Sequence, residues 1–169
     1  WPSFFGNIFD YYLRPGGAYY GAKKGLRPLS VVFDSYATGD HRQAKVSVVN
    51  QGPDDHHGLR VRVRTYDLSG TLRADRSADG IAVGPGGAAP VLTLPPGPAD
   101  SPVFFVRCEL LDADGAAVAE NVYWQSQVID DVGPPANDAA FESNQISYAD
   151  MTALNTIRKT QMPMKSCTE

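Results

Sequence analysis

The sequence has 169 residues, of which 43% are hydrophobic and 20% charged, and its formal net charge is −4. That length holds one domain with a real core, the apolar share argues against general disorder, and mixed charge of small net value gives no basic face for nucleic acid. No apolar run approaches the roughly 20 residues that cross a membrane, and the two cysteines, Cys108 and Cys167, do not make a disulfide framework.

Residues 1–28, WPSFFGNIFDYYLRPGGAYYGAKKGLRP, differ from the rest in being crowded with aromatics. Asp10 is placed to cap a short helical turn through Leu13, and Pro15-Gly16-Gly17 breaks it. Ala18 to Lys24 resumes as helix, with Lys23 and Lys24 in the last turn, where cations suit the dipole, and with Gly25 and Pro28 as stop signals. Such a helix is too short to be stable alone. Its aromatics, each contributing roughly 1.5–3 kcal/mol when fully buried, are expected to dock partly on the following domain and partly on a larger neighbour. Tyr19 and Tyr20 divide between the two, since adjacent helical positions point about 100° apart. The chain does not begin with Met, so an upstream portion is expected.

The following residues read as short strands. Leu29, Val31 and Phe33 alternate up to Tyr36, and Thr38-Gly39-Asp40 turns the chain. Ala44, Val46 and Val48 share one face of the next strand, a period of two that marks a half-buried strand. After the polar loop 51–58, Leu59, Val61, Val63 and Thr65 point inward, and Arg60, Arg62, Arg64 and Tyr66 point outward. Thr71 to Arg76 starts the next strand. Ile81-Ala82-Val83 and Val91-Leu92-Thr93-Leu94 are short apolar runs separated by Gly/Pro clusters. Phe104, Val106, Cys108 and Leu110 are in phase on a strong strand. Asp114-Gly115 marks a hairpin, and the returning strand from Ala117 to Val128 carries Val122 and Trp124 in phase. Tyr66 and Tyr123 are the main outward aromatics. About seven strands in roughly 100 residues fit an all-β, immunoglobulin-like antiparallel β-sandwich behind a short helical leader. Residues 130–147 read as a turn-rich linker, and from Ile146 to Glu169 no complete pattern emerges.

Several constellations carry possible chemistry. Asp54-Asp55-His56-His57 has metal-ligand residue types but no second cluster to complete a site, so an exposed loop and no metal are expected. Asp112-Ala113-Asp114-Gly115 breaks calcium-loop spacing and fits a turn. The Arg60/Arg62/Arg64 ladder suits a solvated or interdomain sheet face, with an anion or an acidic partner surface as the alternative. Cys108, in phase with the core, reads as a buried inert thiol. No cofactor is expected. The glutamates are Glu109, Glu120, Glu142 and Glu169; Glu109 alternates onto the outer face of its strand and Glu120 sits near a hairpin.

Trp1-Pro2-Ser3 with the run Asp10 to Lys24, DYYLRPGGAYYGAKK, resembles the end of the catalytic barrel in glycoside hydrolase family two, in the branch holding exo-β-glucosaminidases and mannosylglycoprotein β-mannosidases. Asn121-Val122-Tyr123-Trp124 resembles the last strand of the sandwich that follows that barrel, and Ala149 to Asn155 resembles the entry to the next domain. The resemblance implies three parts: 1–28, the last barrel helix region; 29–129, the sandwich; 130–169, a linker and the start of another domain. It implies a parent that is a retaining β-glycosidase, secreted or periplasmic, whose catalytic pair lies upstream, so that no residue here is catalytic. Trp1 then lies near the barrel mouth, where aromatic faces stack on sugar rings, with structural packing as the alternative role. Phe9, Tyr11, Tyr12, Tyr19 and Tyr20 become interdomain contacts. The implied partners are the barrel and neighbouring sandwich domains of the same chain, with carbohydrate reached through the parent and no nucleic acid or membrane. A stand-alone carbohydrate-binding module is the alternative, and an adhesin-like structural module a third.

Overall fold

Alternating β-branched residues build the core of the computed structural model, which describes residues 8–34, 44–132 and 145–157. One sheet has the order β1 (Leu29–Asp34), β2 (Lys45–Asn50), β5 (Ala88–Thr93). The other runs β4 (Leu72–Val83), β3 (His56–Asp67), β6 (Val103–Leu111), β7 (Ala117–Ser126). All pairings are antiparallel, and the seven strands in two sheets form an immunoglobulin-like sandwich.

Val31, Val46 and Val48 from the first sheet meet Val61, Val63, Val106, Cys108 and Leu110 from the second, and all are buried. The predicted inward phases of β1, β2, β3 and β6 therefore hold. Leu110 is fully enclosed, so Leu110→Ala would cost about 2–5 kcal/mol through lost transfer energy and the cavity left behind.

Two crossings between the sheets are tied together by Asn50, itself buried at the end of β2. Its Nδ2 donates to the carbonyls of Asp54 (2.7 Å) and Gly84 (3.0 Å), and its Oδ1 accepts from the Gly52 N–H (2.9 Å). One amide thus satisfies backbone groups in both loops that would otherwise be stranded. At the opposite end, Gly97 lies so close to the Phe104 ring that a Cβ there would stand 2.3 Å from its Cε1.

The structure corrects the sequence reading at four places. β4 is one strand from Leu72 to Val83, so the Ile81-Ala82-Val83 run continues the strand predicted to start at Thr71 and is not separate from it, because Gly80 takes φ +67° and keeps the edge paired with β3. In β7 the phase is inverted: Val122 and Trp124 face out, whereas Asn121, Tyr123 and Gln125 face the sandwich. Part of the predicted linker is a ladder, β8 (Asp131–Val132) with β9 (Gln145–Ser147), followed by a 3-10 turn at Thr152–Thr156. Asp10 does not cap a helix. Its Oδ1 accepts from the N–H groups of Tyr12 and Arg14, both at 2.9 Å, in a loop closed by a bridge between Phe9 and Pro15. Tyr36 and the Thr38-Gly39-Asp40 turn lie outside the described residues.

Candidate functional site

Two surfaces carry residues that the sandwich itself does not use. The first is the leader. Its helix α1 (Gly17–Gly25) matches the predicted span but buries none of its residues. The expectation that the leader packs on the sandwich fails for the described part. The surface beside it is the polar Gln51-Gly52 turn, which joins it through Gln51 N–H to the Pro28 carbonyl (2.6 Å) and Gln51 Nε2 to the Gly25 carbonyl (3.3 Å).

The leader's rings pack on one another instead. Phe9 lies 5.2 Å from Tyr19, Tyr11 5.3 Å from Tyr12, and Tyr19 5.3 Å from Tyr20, centroid to centroid. The guanidinium of Arg14 lies over Tyr12 at 5.6 Å. Tyr19 is half-buried against Phe9 and Tyr20 is exposed, so the expected division of the two rings between the sandwich and a neighbour is not seen. Tyr11 and Tyr12 are 70% and 63% exposed at the tip of the Asp10 loop, beside Leu13 at φ +60°. A leucine in the left-handed region is strained, and such strain collects where a loop is held for a purpose. Trp1 lies outside the described residues.

The second surface is the outer face of the four-stranded sheet. Tyr66, Phe105 and Trp124 occupy directly opposite positions on β3, β6 and β7, and Leu72 continues the row on β4. Opposite residues of an antiparallel pair share a face. The next rows are charged. Arg64 pairs with Glu109, Arg107 bridges Glu109 (2.8 Å) and Glu120 (3.2 Å), and Arg62 binds Asp75 (2.6 Å). The hydrogen bond from Arg62 holds the Asp75 carboxyl below the ordinary carboxylate range. Periodicity reveals the arginine ladder; it misses the aromatic row, because only cross-strand register brings Tyr66, Phe105 and Trp124 together.

The remaining candidates resolve as architecture. Glu109 and Glu120 are opposite one another, but both are held by Arg107 on an outer sheet face, unlike a pair flanking a sugar. Asp112 Oδ1 accepts from the N–H groups of Asp114 (3.0 Å) and Ala116 (2.8 Å), closing the β6–β7 turn with Gly115 at φ +84°. His56 and His57 begin β3, and no group of three or more metal-ligating side chains converges among the described residues. Cys108 is buried, and burial pushes its thiol up to about 12. An open cavity of about 310 Å³ between the sheets is lined by Phe33, Leu94, Gly97, Phe104, Gln125 and neighbours.

Comparison with known proteins agrees with this architecture. Residues 42–128 match the model of the Mannosidase Ig/CBM-like domain. The chain is 32% identical over 158 residues to an exo-beta-D-glucosaminidase of Amycolatopsis orientalis, covering 93% of this chain and 15% of the relative. It is 37% identical over 161 residues to the exo-beta-D-glucosaminidase of Streptomyces avermitilis, covering 94% and 17%. The crystal structure of the Amycolatopsis orientalis exo-chitosanase CsxA superposes with a TM-score of 0.78 at 32% identity, over 88% of this chain and 17% of that one. The chain thus spans about a sixth of the relatives it matches. On the family match, which covers residues 42–128, the chain belongs to the Mannosidase Ig/CBM-like domain family.

Proposed function

We propose that this chain is a non-catalytic accessory sandwich of a multidomain retaining β-glycosidase of the exo-β-D-glucosaminidase type, and that its leader, residues 1–28, holds the end of the catalytic barrel. The sandwich proper is 29–129, and 130–169 leads into a further domain. The observation that carries the reading is the leader itself. Its aromatics are ordered by Asp10 and by the Phe9–Tyr19 contact, yet α1 contributes none of them to the sandwich core. Exposed aromatics on a fixed loop mark an interface. The exo-β-D-glucosaminidase relatives support the substrate class, an amino-sugar β-glycoside. Trp1 is assigned to the mouth of that barrel, stacking on the sugar.

The test uses the full-length parent polypeptide. Tyr11→Ser with Tyr12→Ser should lower the temperature at which the parent loses hydrolysis of an aryl β-D-glucosaminide, and should leave the melting temperature of the 169-residue chain unchanged. An unaltered inactivation temperature in the parent would sink the assignment. The isolated chain should show no hydrolysis of aryl β-glucosaminide or β-mannoside, since both described glutamates are engaged by Arg107.

A further inference from the structure

The outer face of a solvated antiparallel sheet is normally polar. Here its row reads Leu72, Tyr66, Phe105, Trp124 across all four strands, a width of about 14 Å at strand spacing of about 4.8 Å. Trp124 is 62% exposed. Trp, Tyr and Arg are the residues that dominate protein interfaces, and this face combines them. The charges beside the row are matched. Arg62, Arg64 and Arg107 face Asp75, Glu109 and Glu120, with Arg64 and Glu109 only 20% and 15% exposed. A face whose charges are already paired can be covered without stranding a lone charge, although the Nε atoms of Arg64 and Arg107 are buried without a hydrogen-bond partner.

We propose that this face, centred on Tyr66, Phe105 and Trp124, is the seat of the folding unit that follows the sandwich in the same polypeptide, the unit opened by the β8–β9 ladder and the 3-10 turn. The proposal rests on the accessory-domain reading and deepens it. β7 ends at Ser126, two residues beyond Trp124. Ser126 Oγ donates to the Asp150 carbonyl at 2.7 Å, and the Ala149 N–H donates to Asp130 Oδ1 at 2.9 Å. The chain after the sandwich is therefore tied back to the end of the sheet that carries the aromatic row. It presents Ile146 and Tyr148 exposed. The matched relatives are about six times longer than this chain, which supplies the polypeptide to cover the face. A polysaccharide fits less well. Rings at adjacent strand positions crowd one another, Tyr66 and Phe105 are half-buried, and the balanced charge gives no attraction for a cationic amino-sugar polymer.

Hydroxyl-radical footprinting read by mass spectrometry at Trp124 tests this directly. Oxidation of Trp124 should be fast in the 169-residue chain and slower by about fivefold or more in the full-length parent, as for a residue in the dry centre of an interface. Truncating the parent after Glu169 should restore the fast rate. Equal rates in chain and parent would overturn the proposal, as would protection that survives the truncation. Protection of the chain by soluble chitosan oligomers would overturn it in favour of a sugar platform. Because a truncation can misfold, Trp124→Arg in the full-length parent gives a second reading. Calorimetry should show one shared transition split into two, with Val32→Arg on the other sheet as the control. An unsplit transition in Trp124→Arg counts against docking. Activity on the aryl glucosaminide is recorded separately. Absence of that activity in the unsubstituted parent, with its Trp124 protected, would defeat the accessory role and leave the docking intact.

Discussion

The hydroxyl of Tyr123 accepts a hydrogen bond at 3.1 Å from the backbone N–H of Phe33, ninety positions away, and its ring meets the Phe33 ring edge-on at 5.5 Å. Two residues earlier on the same strand, Asn121 Nδ2 donates to the Val31 carbonyl at 2.9 Å. β1 and β7 are the edge strands of different sheets. Two side chains of β7 thus serve the β1 edge as a neighbouring strand would, and that edge is closed to pairing with another chain. Half of the Asn-Val-Tyr-Trp motif works as this seam and the other half faces outward.

Tyr123→Phe keeps the ring and removes the acceptor, leaving the Phe33 N–H unsatisfied in a largely buried place. The expected loss is about 1–3 kcal/mol, read as a lower urea midpoint with unchanged slope. Asn121→Ala should cost a similar amount. Burial pushes the Tyr123 hydroxyl up, with the Phe33 N–H opposing. Because the folded value is raised, the associated stability is complete below the unfolded tyrosine range and is lost as pH rises through the folded value. Tyr123→Phe should remove that part of the alkaline decline. A midpoint equal to the parent's would show that the bond contributes nothing.

The contrast between β3 and β7 explains how far the sequence could be read. From Leu59 to Tyr66 in β3 every inward residue is apolar or Thr and every outward one is Arg or Tyr, so the period of two reports both faces. In β7 the inward Asn121 and Tyr123 are polar because they serve β1 backbone groups, and the outward Val122 and Trp124 are apolar. The same period then assigns the wrong face. The Tyr66–Phe105–Trp124 row is invisible in one dimension because its members lie on three strands. The leader's helix is legible from Pro15, Gly16 and the two lysines. Its failure to dock is not, since that depends on the polar Gln51-Gly52 surface that tertiary structure sets beside it.

Cys108 offers a clean probe of global opening. It sits between Val63 and Asn121 in the sheet register, fully enclosed, with its thiol pushed up to about 12 by burial. The thiolate is the reactive form, so in a Cys167→Ser background Cys108 should react with an aromatic disulfide reagent only as fast as the domain unfolds. Reaction at pH 8 should be at least a hundredfold slower than in urea, about the factor implied by a few kcal/mol of protection. Rapid labelling of the folded chain would mean that the sandwich opens locally at β6.

Gly97 tests the packing of the proline-rich segment against β6. A Cβ at this position would meet Phe104 at 2.3 Å and 2.4 Å on two ring carbons, and Phe104 is buried with little room to move. Gly97→Ala should destabilise by about 1–3 kcal/mol through overpacking. Phe104→Leu, which shortens the obstructing side chain, should make the second change much less costly. The double-mutant cycle should give a favourable coupling of about 1 kcal/mol. Additive effects would place the strain in the Gly97 backbone rather than against the ring.

The last prediction concerns acid. Asp67 closes the β3–β4 turn, accepting on Oδ1 from the Ser69 hydroxyl (2.6 Å), the Ser69 N–H (3.0 Å) and the Thr71 N–H (2.9 Å), while its Oδ2 meets Arg73 at 3.1 Å. Arg73 also binds Asp100 at 2.6 Å, joining the turn to the segment before β6. The Ser69 hydroxyl first, and the Thr71 N–H next, hold the Asp67 carboxyl below the usual range; the bond from Arg73 does the same for Asp100. A depressed folded pKa means that the stabilisation is complete above the unfolded value of about 3.9 and is lost as pH falls through the folded one. The urea midpoint should therefore be flat from about pH 7 to pH 5 and fall below about pH 4. Asp67→Asn should lower the midpoint at pH 7, and the gap to the unsubstituted chain should close as the pH drops toward about 2, where both carry a neutral side chain. Moderate salt should leave most of the Asp67 contribution in place, because its partners include uncharged backbone and hydroxyl donors, and should weaken the half-exposed Arg73–Asp100 contact. Two midpoint curves that run parallel from pH 7 to pH 2 would show that Asp67 titrates alike in the folded and unfolded chain, and the turn would then be held by its backbone alone.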